Sequence, residues 1–282
     1  CWRIYAKFKP HAVVGFGSYA SFIPVLLAAW KGIPTAVHEQ NAYPGVTNRV
    51  LGKRVQRVFL SFPDDKGWFD PQKTRLTGNP VRTSLIALRN KEKVYTHQSG
   101  HRVLILGGSQ GARAINQALL QALPHLLPRG VHILHQAGER HYTELHPYYK
   151  GYDTNQAKVV PFIQDMAAAY SWSDLVVSRA GASTVAELTV IGRPSVLIPF
   201  PYAVHQHQLY NAKLLEKEGA ALVVEQSYLP EVNLAGMILD LLDLPEKLVS
   251  MGRAARQLGQ PAATRMIVRE LGAMTEKGKI RS

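Results

Sequence analysis

Short apolar segments alternate with longer segments of helical period along almost the whole chain. In the first third, four short runs rich in apolar and β-branched residues are bounded by glycine, proline or polar clusters, which is typical of strands. Helical periodicity occupies the segments before and between them. We therefore predict strands at 12–17, 35–38, 58–60 and 74–77, and helices at 1–9, 18–30 and 46–54.

A second pattern of the same kind begins near residue 103. It follows a polar stretch at 83–101 that lacks periodicity in its second half, and we interpret this stretch as a linker. The strands predicted here are 103–106, 131–135, 158–160, 175–178, 195–198 and 221–224. The helices are 112–123, 140–148, 166–170, 184–191, 208–218 and 231–242, and two amphipathic helices follow at 245–258 and 262–275.

This alternation is typical of α/β domains, in which helices cover an open parallel sheet. We predict two Rossmann-like domains, 1–95 including the linker and 96–282, that face a cleft. In such sheets a ligand binds at the carboxyl ends of the strands, so the loops after the strands are the places to search for chemistry.

Composition narrows the class of partner. The 282 residues are 46% hydrophobic and 19% charged, as in a globular protein, and the net charge is +13. Such a charge calls for an anionic partner, which would be nucleic acid, an acidic membrane face or a phosphorylated substrate. The sequence has no interleaved aromatic and basic residues and no known RNA-binding module, so we expect no nucleic-acid partner.

The single cysteine, Cys1, cannot form an internal disulfide, which favours a reducing, cytosolic setting. The longest apolar run, 22–30, contains a proline and is too short to span a bilayer. This run ends at Trp30 and is followed by bases that include Lys53. It is either core or a surface that rests on anionic lipid.

The stretch from Ser178 to Glu187 combines a strand end, a turn of small residues and the start of a helix. Small residues let the backbone approach a ligand, and a helix N-terminus presents N–H groups to an anion. Glu187 has two interpretations. Its carboxylate holds a ribose diol, or it forms a capping box with Thr184 three residues before it.

Gly107–Arg113 also lies between a strand and a helix, and its three glycines and Ser109 suit a cradle for phosphate. The alternative is a glycine turn that only packs helix on strand. The segment matches neither the Walker pattern nor the dinucleotide fingerprint, which argues against an ATPase and a dehydrogenase.

Three further polar clusters follow predicted strands. Arg82, in 78–82, is either a phosphate or base ligand or a surface arginine. The cluster 38–41 suits general-base work or recognition of sugar hydroxyls, or is a polar strand end. The histidines of 205–208 are two residues apart and have no acid or cysteine cluster near them, so we expect contacts to sugar rather than to a metal.

Seven motifs occur in order along the chain and together resemble the MurG family, within glycosyltransferase family 28. The family adds N-acetylglucosamine to the lipid-linked muramyl-pentapeptide precursor of peptidoglycan, and the resemblance extends over essentially the whole chain. The motifs are Gly15–Tyr19 (Gly-x-Gly-x-Tyr), His38–Asn41, Gly78–Arg82, Gly107–Arg113, Phe162–Met166, Ser178–Thr184 and the pair His207-Gln208 and Asn211-Ala212.

The resemblance implies a GT-B fold that binds UDP-N-acetylglucosamine on the C-terminal domain and the lipid acceptor on the N-terminal domain. It implies an inverting transfer that converts lipid I to lipid II, without a cofactor or a required metal. The setting would be peripheral, on the cytoplasmic face of the bacterial inner membrane, in contact with anionic lipids. Peptidoglycan synthesis, cell shape and cell division would depend on the reaction.

The resemblance also assigns residues to roles. Ser109 would face the diphosphate, the main chain of Ile163 the uracil, and Glu187 the ribose, which favours the ligand over the capping box. The turn would meet the diphosphate and sugar through Ala182, Ser183, Thr184, Val185 and Ala186. Asn41 and Gln208 would meet sugar hydroxyls, and Arg82 belongs to the donor site. Tyr19 and Asn48 would line the acceptor side, Trp30 and Lys53 would form a membrane patch, and His38 or Glu39 would be the catalytic base.

The family pattern also includes a first strand and a Gly-Gly-Thr-Gly-Gly-His loop that this sequence does not contain. The chain opens at Cys1 as though within a helix, so we expect a preceding segment. The histidine of that loop is a proposed catalytic residue. Two alternatives therefore accompany the transferase hypothesis: another UDP-sugar GT-B enzyme such as a UDP-N-acetylglucosamine 2-epimerase, and a UDP-binding module without turnover.

Overall fold

The computed structural model describes residues 1–91, 93, 95, 100–108 and 111–279. The chain divides into two compact units, the first formed by residues 1–81 and 260–282 and the second by residues 82–259. Each unit contains one sheet whose strands are all parallel. Parallel strands need crossover connections. Helices supply most of them here, but residues 61–73, between the strands at 57–60 and 74–76, form no helix.

The first sheet has the order β1-β2-β3-β4. Its strands are β1 (Val13–Gly15), β2 (Thr35–Glu39), β3 (Arg57–Leu60) and β4 (Thr74–Leu76). The helices of this unit are α1 (Trp2–Phe8), α2 (Ser18–Trp30), α3 (Val46–Gly52) and, from the other end of the chain, α12 (Ala263–Lys279).

The second sheet has the order β10-β9-β8-β5-β6-β7. Its strands are β5 (Arg102–Leu106), β6 (His132–Gln136), β7 (Ala157–Val160), β8 (Leu175–Ser178), β9 (Ser195–Leu197) and β10 (Ala221–Val223). The helices are α4 (Thr83–Ile86), α5 (Arg113–Leu126), α6 (Glu139–Tyr149), α7 (Met166–Trp172), α8 (Ala182–Ile191), α9 (His207–Lys217), α10 (Leu234–Leu242) and α11 (Pro245–Leu258).

Both faces of the first sheet are covered. Val37 and Val58 pack in one apolar cluster with residues of α2 and α3. Ala36 and Phe59, the neighbours of those two residues, pack in a separate cluster with Ile267 and Met274 of α12. Successive strand residues point to opposite faces, so two covered faces account for the nearly unbroken apolar runs in β2 and β3.

The division into units differs from the predicted domains 1–95 and 96–282 at two places. Residues 260–282 belong to the first unit because α12 covers the sheet face of Ala36 and Phe59. Residues 82–95 fall within the second unit, and the part predicted as a linker begins with α4 and a 3-10 turn, Ala87–Asn90. Arg89 ties this turn to the second unit by donating to the carbonyls of Val190 and Arg256.

Within the described part of the chain, none of the helices combines the length and the apolar content that crossing a membrane requires.

Candidate functional site

The turn between β8 and α8 brings a helix N-terminus to the carboxyl edge of the second sheet. α8 begins at Ala182 with Gly181 as its N-cap residue. The Asn211 carboxamide donates a 3.1 Å hydrogen bond to the carbonyl of Ala180, which holds the turn. The first N–H groups of a helix have no carbonyl partner within it, and together with the helix dipole they attract an anion.

The capping-box interpretation of Glu187 is wrong. It requires Thr184 to be the N-cap residue, yet the helix begins two residues earlier, at Ala182. Thr184 therefore lies in the first turn and Glu187 in the second, beyond the position from which a side chain closes the N-terminus. The carboxylate is available for a different task.

Glu187 is held by two side chains from elsewhere in the second unit. The hydroxyl of Tyr170 donates a 3.0 Å hydrogen bond to Oε2 of Glu187. On the other carboxylate oxygen, Oε1 lies 3.8 Å from Nη2 of Arg82. The Glu187 side chain is 15% exposed and that of Arg82 is 65% exposed, so the ion pair lies at the rim of a mostly buried carboxylate.

Burial and these two contacts shift the pKa of Glu187 in opposite directions. Burial raises the pKa of Glu187, whereas the Tyr170 hydrogen bond and the charge of Arg82 lower it. Burial raises the pKa of Tyr170 well above its ordinary value, and the neighbouring Glu187 charge raises it further. Tyr170 therefore stays protonated and acts as a permanent hydrogen-bond donor to Glu187.

The glycine loop after β5 lies next to this turn in the order of the strands. β5 pairs with β8 on one side and with β6 on the other, so the strand order reverses at β5. In open α/β sheets the crevice at such a reversal, outside the carboxyl ends of the strands, is the usual ligand site. The loops after β5 and β8 are the two whose sequences predict binding of phosphate and nucleotide.

The glycines of this loop are required by its geometry. Gly108 and Gly111 have φ values of 76° and 81°, in the left-handed region that favours glycine. A Cβ at Gly111 would lie 2.6 Å from the carbonyl oxygen of Ala137 and would overlap His141. Ser109, predicted to face the diphosphate, lies outside the described residues, as does Gln110.

A buried chain of hydrogen bonds supports the segment under the glycine loop. The Asn116 carboxamide donates to the carbonyl of Ala137 at 3.1 Å, and its oxygen lies 3.0 Å from Nε2 of His135. The other ring nitrogen, Nδ1, lies 2.8 Å from the hydroxyl of Tyr149. This direction of donation makes His135 a neutral ring protonated at Nε2, and burial lowers its pKa to about 3.

The main chain of Ile163, predicted to meet the uracil, already has a partner. Its N–H donates a 3.0 Å hydrogen bond to Oε1 of Gln136, at the end of β6. A base that used this N–H would have to share it with Gln136 or displace it. Gln136 thus links the predicted base-binding loop to the strand beneath the glycine loop.

The loop after β9 orients Gln208. The Phe200 N–H donates a 3.0 Å hydrogen bond to Oε1 of Gln208. Arg179, directly after β8, fixes the same loop by donating to the carbonyls of Ile198 and Pro199 and to Oε1 of Gln226. Burial lowers the pKa of this guanidinium to about 10, and it remains charged at neutral pH.

The histidines near Gln208 show no metal arrangement. His205 has a left-handed φ of 51°, and Nδ1 of His207 lies 2.7 Å from the carbonyl of Val204. Among the residues that the structure describes, no group of three or more potential metal ligands comes together.

In the first unit, Glu39 organises the loop that follows β2. One oxygen accepts the N–H of Asn41 at 3.0 Å and its carboxamide at 3.3 Å. The other accepts the N–H of Gly45 at 3.0 Å and the carboxamide of Asn48 at 2.9 Å. Four donors thus surround a carboxylate that is 3% exposed, so Glu39 would have to give up loop contacts to accept a proton from a substrate.

His38 is also turned inward. Its side chain is fully buried, Nε2 lies 3.0 Å from the carbonyl of Gly78, and burial lowers its pKa. Among the described residues Nδ1 has no hydrogen-bond partner. A neutral imidazole has the protonation state of a base, but this ring presents no surface to an acceptor hydroxyl. The geometry therefore argues against the predicted catalytic roles of both His38 and Glu39.

The remaining predicted residues of the first unit divide into buried and exposed groups. Asn48 is buried, and besides Glu39 it donates to the carbonyl of His38 at 3.1 Å. Tyr19 and Trp30, at the two ends of α2, are 88% and 72% exposed, and Lys53 is exposed just after α3. Tyr19, Trp30 and Lys53 are therefore accessible to a binding partner.

Tyr170, Gln136 and His135 were not identified from the sequence, and Arg179 was part of a motif without an assigned role. Tyr170 lies in an apolar helix and has the pattern of a core residue, and it is indeed fully buried. The available signal was a hydrogen-bonding group inside an apolar run, since a buried polar group needs a partner. Which partner it takes is not visible in the sequence.

Comparison with known proteins shows the family to which this chain is similar. The family model described as "Glycosyltransferase family 28 C-terminal domain" matches residues 102–266, and the one described as "Glycosyltransferase family 28 N-terminal domain" matches residues 1–60. A relative from Nitratidesulfovibrio vulgaris is 48% identical over 95% of this chain and 75% of its own length. It is named UDP-N-acetylglucosamine–N-acetylmuramyl-(pentapeptide) pyrophosphoryl-undecaprenol N-acetylglucosamine transferase.

Two solved structures are similar to this one. MurG of Acinetobacter baumannii has a TM-score of 0.79 and 36% identity over 96% of this chain and 77% of its own length. A UDP-GlcNAc 2-epimerase from Neisseria meningitidis, solved with UDP-GlcNAc, has a TM-score of 0.66 and 16% identity over 95% of this chain and 78% of that one. At 16% identity, the second similarity shows a shared fold alone.

Proposed function

The chain belongs to glycosyltransferase family 28, and on that premise we propose that it transfers N-acetylglucosamine from UDP-N-acetylglucosamine to a lipid-linked acceptor. The acceptor is undecaprenyl-pyrophosphoryl-MurNAc-pentapeptide, and the reaction converts lipid I to lipid II in peptidoglycan synthesis. The observation that carries this proposal is the extended similarity, at 48% identity, to a relative named for that transfer. The predicted two-sheet α/β fold of the GT-B type agrees with it.

The second unit supplies the donor site of this proposal. Glu187 receives the two ribose hydroxyls, and the main chain of Ile163 meets the uracil. The N–H groups of Ala182, Ser183 and Thr184, in the first turn of α8, face the diphosphate, whereas the N–H of Val185 already donates to the carbonyl of Gly181. Gln208 meets a sugar hydroxyl, and Arg82 adds positive charge at the rim. Asn41, predicted to meet a sugar hydroxyl, lies in the first unit.

Charge explains how these groups assist the reaction. In an inverting transfer the acceptor's 4-hydroxyl attacks C1 of the sugar while negative charge develops on the departing UDP. Donors that are already oriented stabilise that charge without the cost of reorganisation. The start of α8 offers such donors, and the reaction also requires a base on the acceptor side.

The first unit supplies the acceptor side. We assign Tyr19 and Asn48 to it, with Asn48 acting through the loop that Glu39 holds. We assign His38 and Glu39 to the shaping of that loop rather than to proton removal, because both side chains are buried and engaged within the fold.

The surface of α2 and α3 suits a membrane. α2 presents Ile23 and Trp30, and α3 presents Val46 and Val50, all 45% or more exposed. Exposed Lys53 follows directly. Apolar groups beside bases bind the interface of an anionic bilayer, so we propose peripheral attachment to the cytoplasmic membrane face, where the lipid acceptor resides.

The proposal is tested by mixing the purified chain with UDP-N-acetylglucosamine, with and without lipid I. Release of UDP and formation of the disaccharide lipid only when lipid I is present are the expected results. Formation of the manno epimer without acceptor would establish an epimerase instead. Calorimetric binding of UDP-N-acetylglucosamine with turnover at background would establish a binding module and overturn the transferase proposal for this chain.

A further inference from the structure

We propose that Tyr170 is a positioning residue for the donor: its hydroxyl holds the Glu187 carboxylate in the orientation that receives the ribose diol. This inference rests on the role of Glu187 in the proposed function. Tyr170 contacts neither the substrate nor the reacting atoms and acts only through the side chain of Glu187.

The geometry of Tyr170 is that of a fixed support. The side chain is fully buried, and its hydroxyl donates to Oε2 of Glu187 at 3.0 Å. Its carbonyl accepts hydrogen bonds from Nε of Arg193 at 2.8 Å and from the Ser173 hydroxyl at 3.1 Å. The main chain and the ring of Tyr170 are therefore both held before any ligand arrives.

A glutamate in this place needs such a support. The terminal torsion of a glutamate side chain has a broad energy profile, so the carboxylate plane is poorly fixed by its own rotamer preference. Arg82 is a weak guide, because its guanidinium is mostly exposed and lies 3.8 Å from Oε1. The Tyr170 hydroxyl is the short, buried contact that sets the plane.

The support leaves room for the ligand. Two carboxylate oxygens offer about four lone-pair positions, and Tyr170 occupies one. The other oxygen lies on the side of the exposed Arg82. Two adjacent ribose hydroxyls can donate to the positions that remain, and a carboxylate already held in place loses less freedom when they bind.

The test measures how strongly the protein prefers a ribose diol. Calorimetry gives the dissociation constants of UDP and of 2′,3′-dideoxy-UDP for the wild type, Tyr170→Phe and Glu187→Ala. Tyr170→Phe keeps the ring but removes the donor, so UDP binding should weaken about tenfold while dideoxy-UDP binding changes little. In turnover, the KM for UDP-N-acetylglucosamine should rise about as much, with kcat within about twofold.

Controls separate positioning from stability. Tyr149→Phe removes another buried tyrosine hydroxyl of the same unit, one that contacts His135 rather than Glu187, and should leave the diol preference unchanged. Thermal denaturation shows that each variant is folded. Tyr170→Met also lacks the hydroxyl and adapts its shape to the space, so it replaces the phenylalanine variant if that one does not fold.

The variants separate the positioning role of Tyr170 from the ribose contact of Glu187. If Glu187→Ala keeps the wild-type diol preference, the ribose assignment of Glu187 is wrong. If Glu187→Ala loses the preference and Tyr170→Phe keeps it, the positioning role of Tyr170 is wrong and the donor site stands. A Tyr170→Phe protein that is less stable but discriminates normally would likewise limit Tyr170 to the core.

Discussion

Nε of Arg57, in β3, lies 3.3 Å from the Glu270 carboxylate of α12, which joins the last helix to a strand 213 residues earlier. Arg75 of β4 lies 3.7 Å from the same carboxylate. Ile267, one turn earlier in the same helix, packs in an apolar cluster with Ala36 and Phe59 of the first sheet. α12 therefore belongs to the first unit, although the second unit lies between α12 and β4 in the sequence.

The apolar contacts of α12 should matter more than its ion pairs. Ile267→Ala should lower the free energy of unfolding of the first unit by about 2–4 kcal/mol, because it removes a side chain that is 6% exposed. Glu270→Ala should cost no more than about 1 kcal/mol, because the pairs are partly exposed. Denaturant titration measures both changes.

The matched control is Val268→Ala, the next residue of the same helix, which is 62% exposed. It should change stability by less than about 0.5 kcal/mol. Equal losses for the 267 and 268 variants would contradict the packing of α12 on the first sheet.

Replacing Glu187 tests the donor site. Glu187→Ala should weaken UDP-N-acetylglucosamine binding by about 1–3 kcal/mol, because charge-assisted hydrogen bonds to the ribose are lost. Calorimetry measures the change, and Glu231→Ala, at an exposed position of the same unit, is the control. A Glu187 variant that is less stable but binds UDP normally would assign the carboxylate to the fold alone.

Glu39 should be required for folding rather than for proton transfer. Glu39→Ala leaves up to four N–H donors without their partner, so we expect a loss of about 2–4 kcal/mol in stability of the first unit. Asp65→Ala, at an exposed position in that unit, should have little effect. A Glu39→Ala protein of unchanged stability whose turnover rate no longer falls at acidic pH would instead favour Glu39 as the catalytic base.

His135 should make the second unit sensitive to acid. Its pKa is about 3 in the folded chain and 6.5 as a free side chain. Above pH 6.5 both states are neutral, so the group makes no difference there. Between pH 6.5 and 3 the unfolded state binds a proton that the folded state does not, and stability falls by about 1.4 kcal/mol per pH unit.

Urea titrations at several pH values measure this slope. His135→Gln should be less stable at neutral pH, because the hydrogen bonds to Tyr149 and Asn116 are disturbed, but its stability should fall less steeply in acid. His125→Gln, at an exposed position of α5, should keep the wild-type slope. An unchanged slope in the 135 variant would show that His135 is not the group that resists protonation.

The exposed aromatic of α2 should contribute to membrane binding. Trp30→Ala should reduce sedimentation with anionic vesicles several-fold, and added salt should weaken the binding of both proteins. Tyr228→Ala removes an exposed aromatic from the second unit and should bind as the wild type does. Equal losses for the two variants would argue against a specific patch on α2 and α3.

The elements and the motifs were largely predictable from the sequence. The strand at 175–178 and the helix at 245–258 have the predicted bounds, because hydrophobic period and local turn residues determine them. Gly108 and Gly111 have left-handed backbone angles, which glycine adopts readily. The family resemblance, based on short ordered motifs, was likewise available without coordinates.

Other features were decided by contacts between distant parts of the chain. By itself, the sequence determined the α/β class, the order of the elements and the position of the small-residue turn before α8, because each depends on near neighbours. Only the tertiary structure decided that α12 covers the first sheet and that Tyr170, rather than a helix cap, holds Glu187. Such contacts join residues that are far apart in the sequence and meet only when the sheets have formed. The spacing of residues along the chain therefore does not predict them.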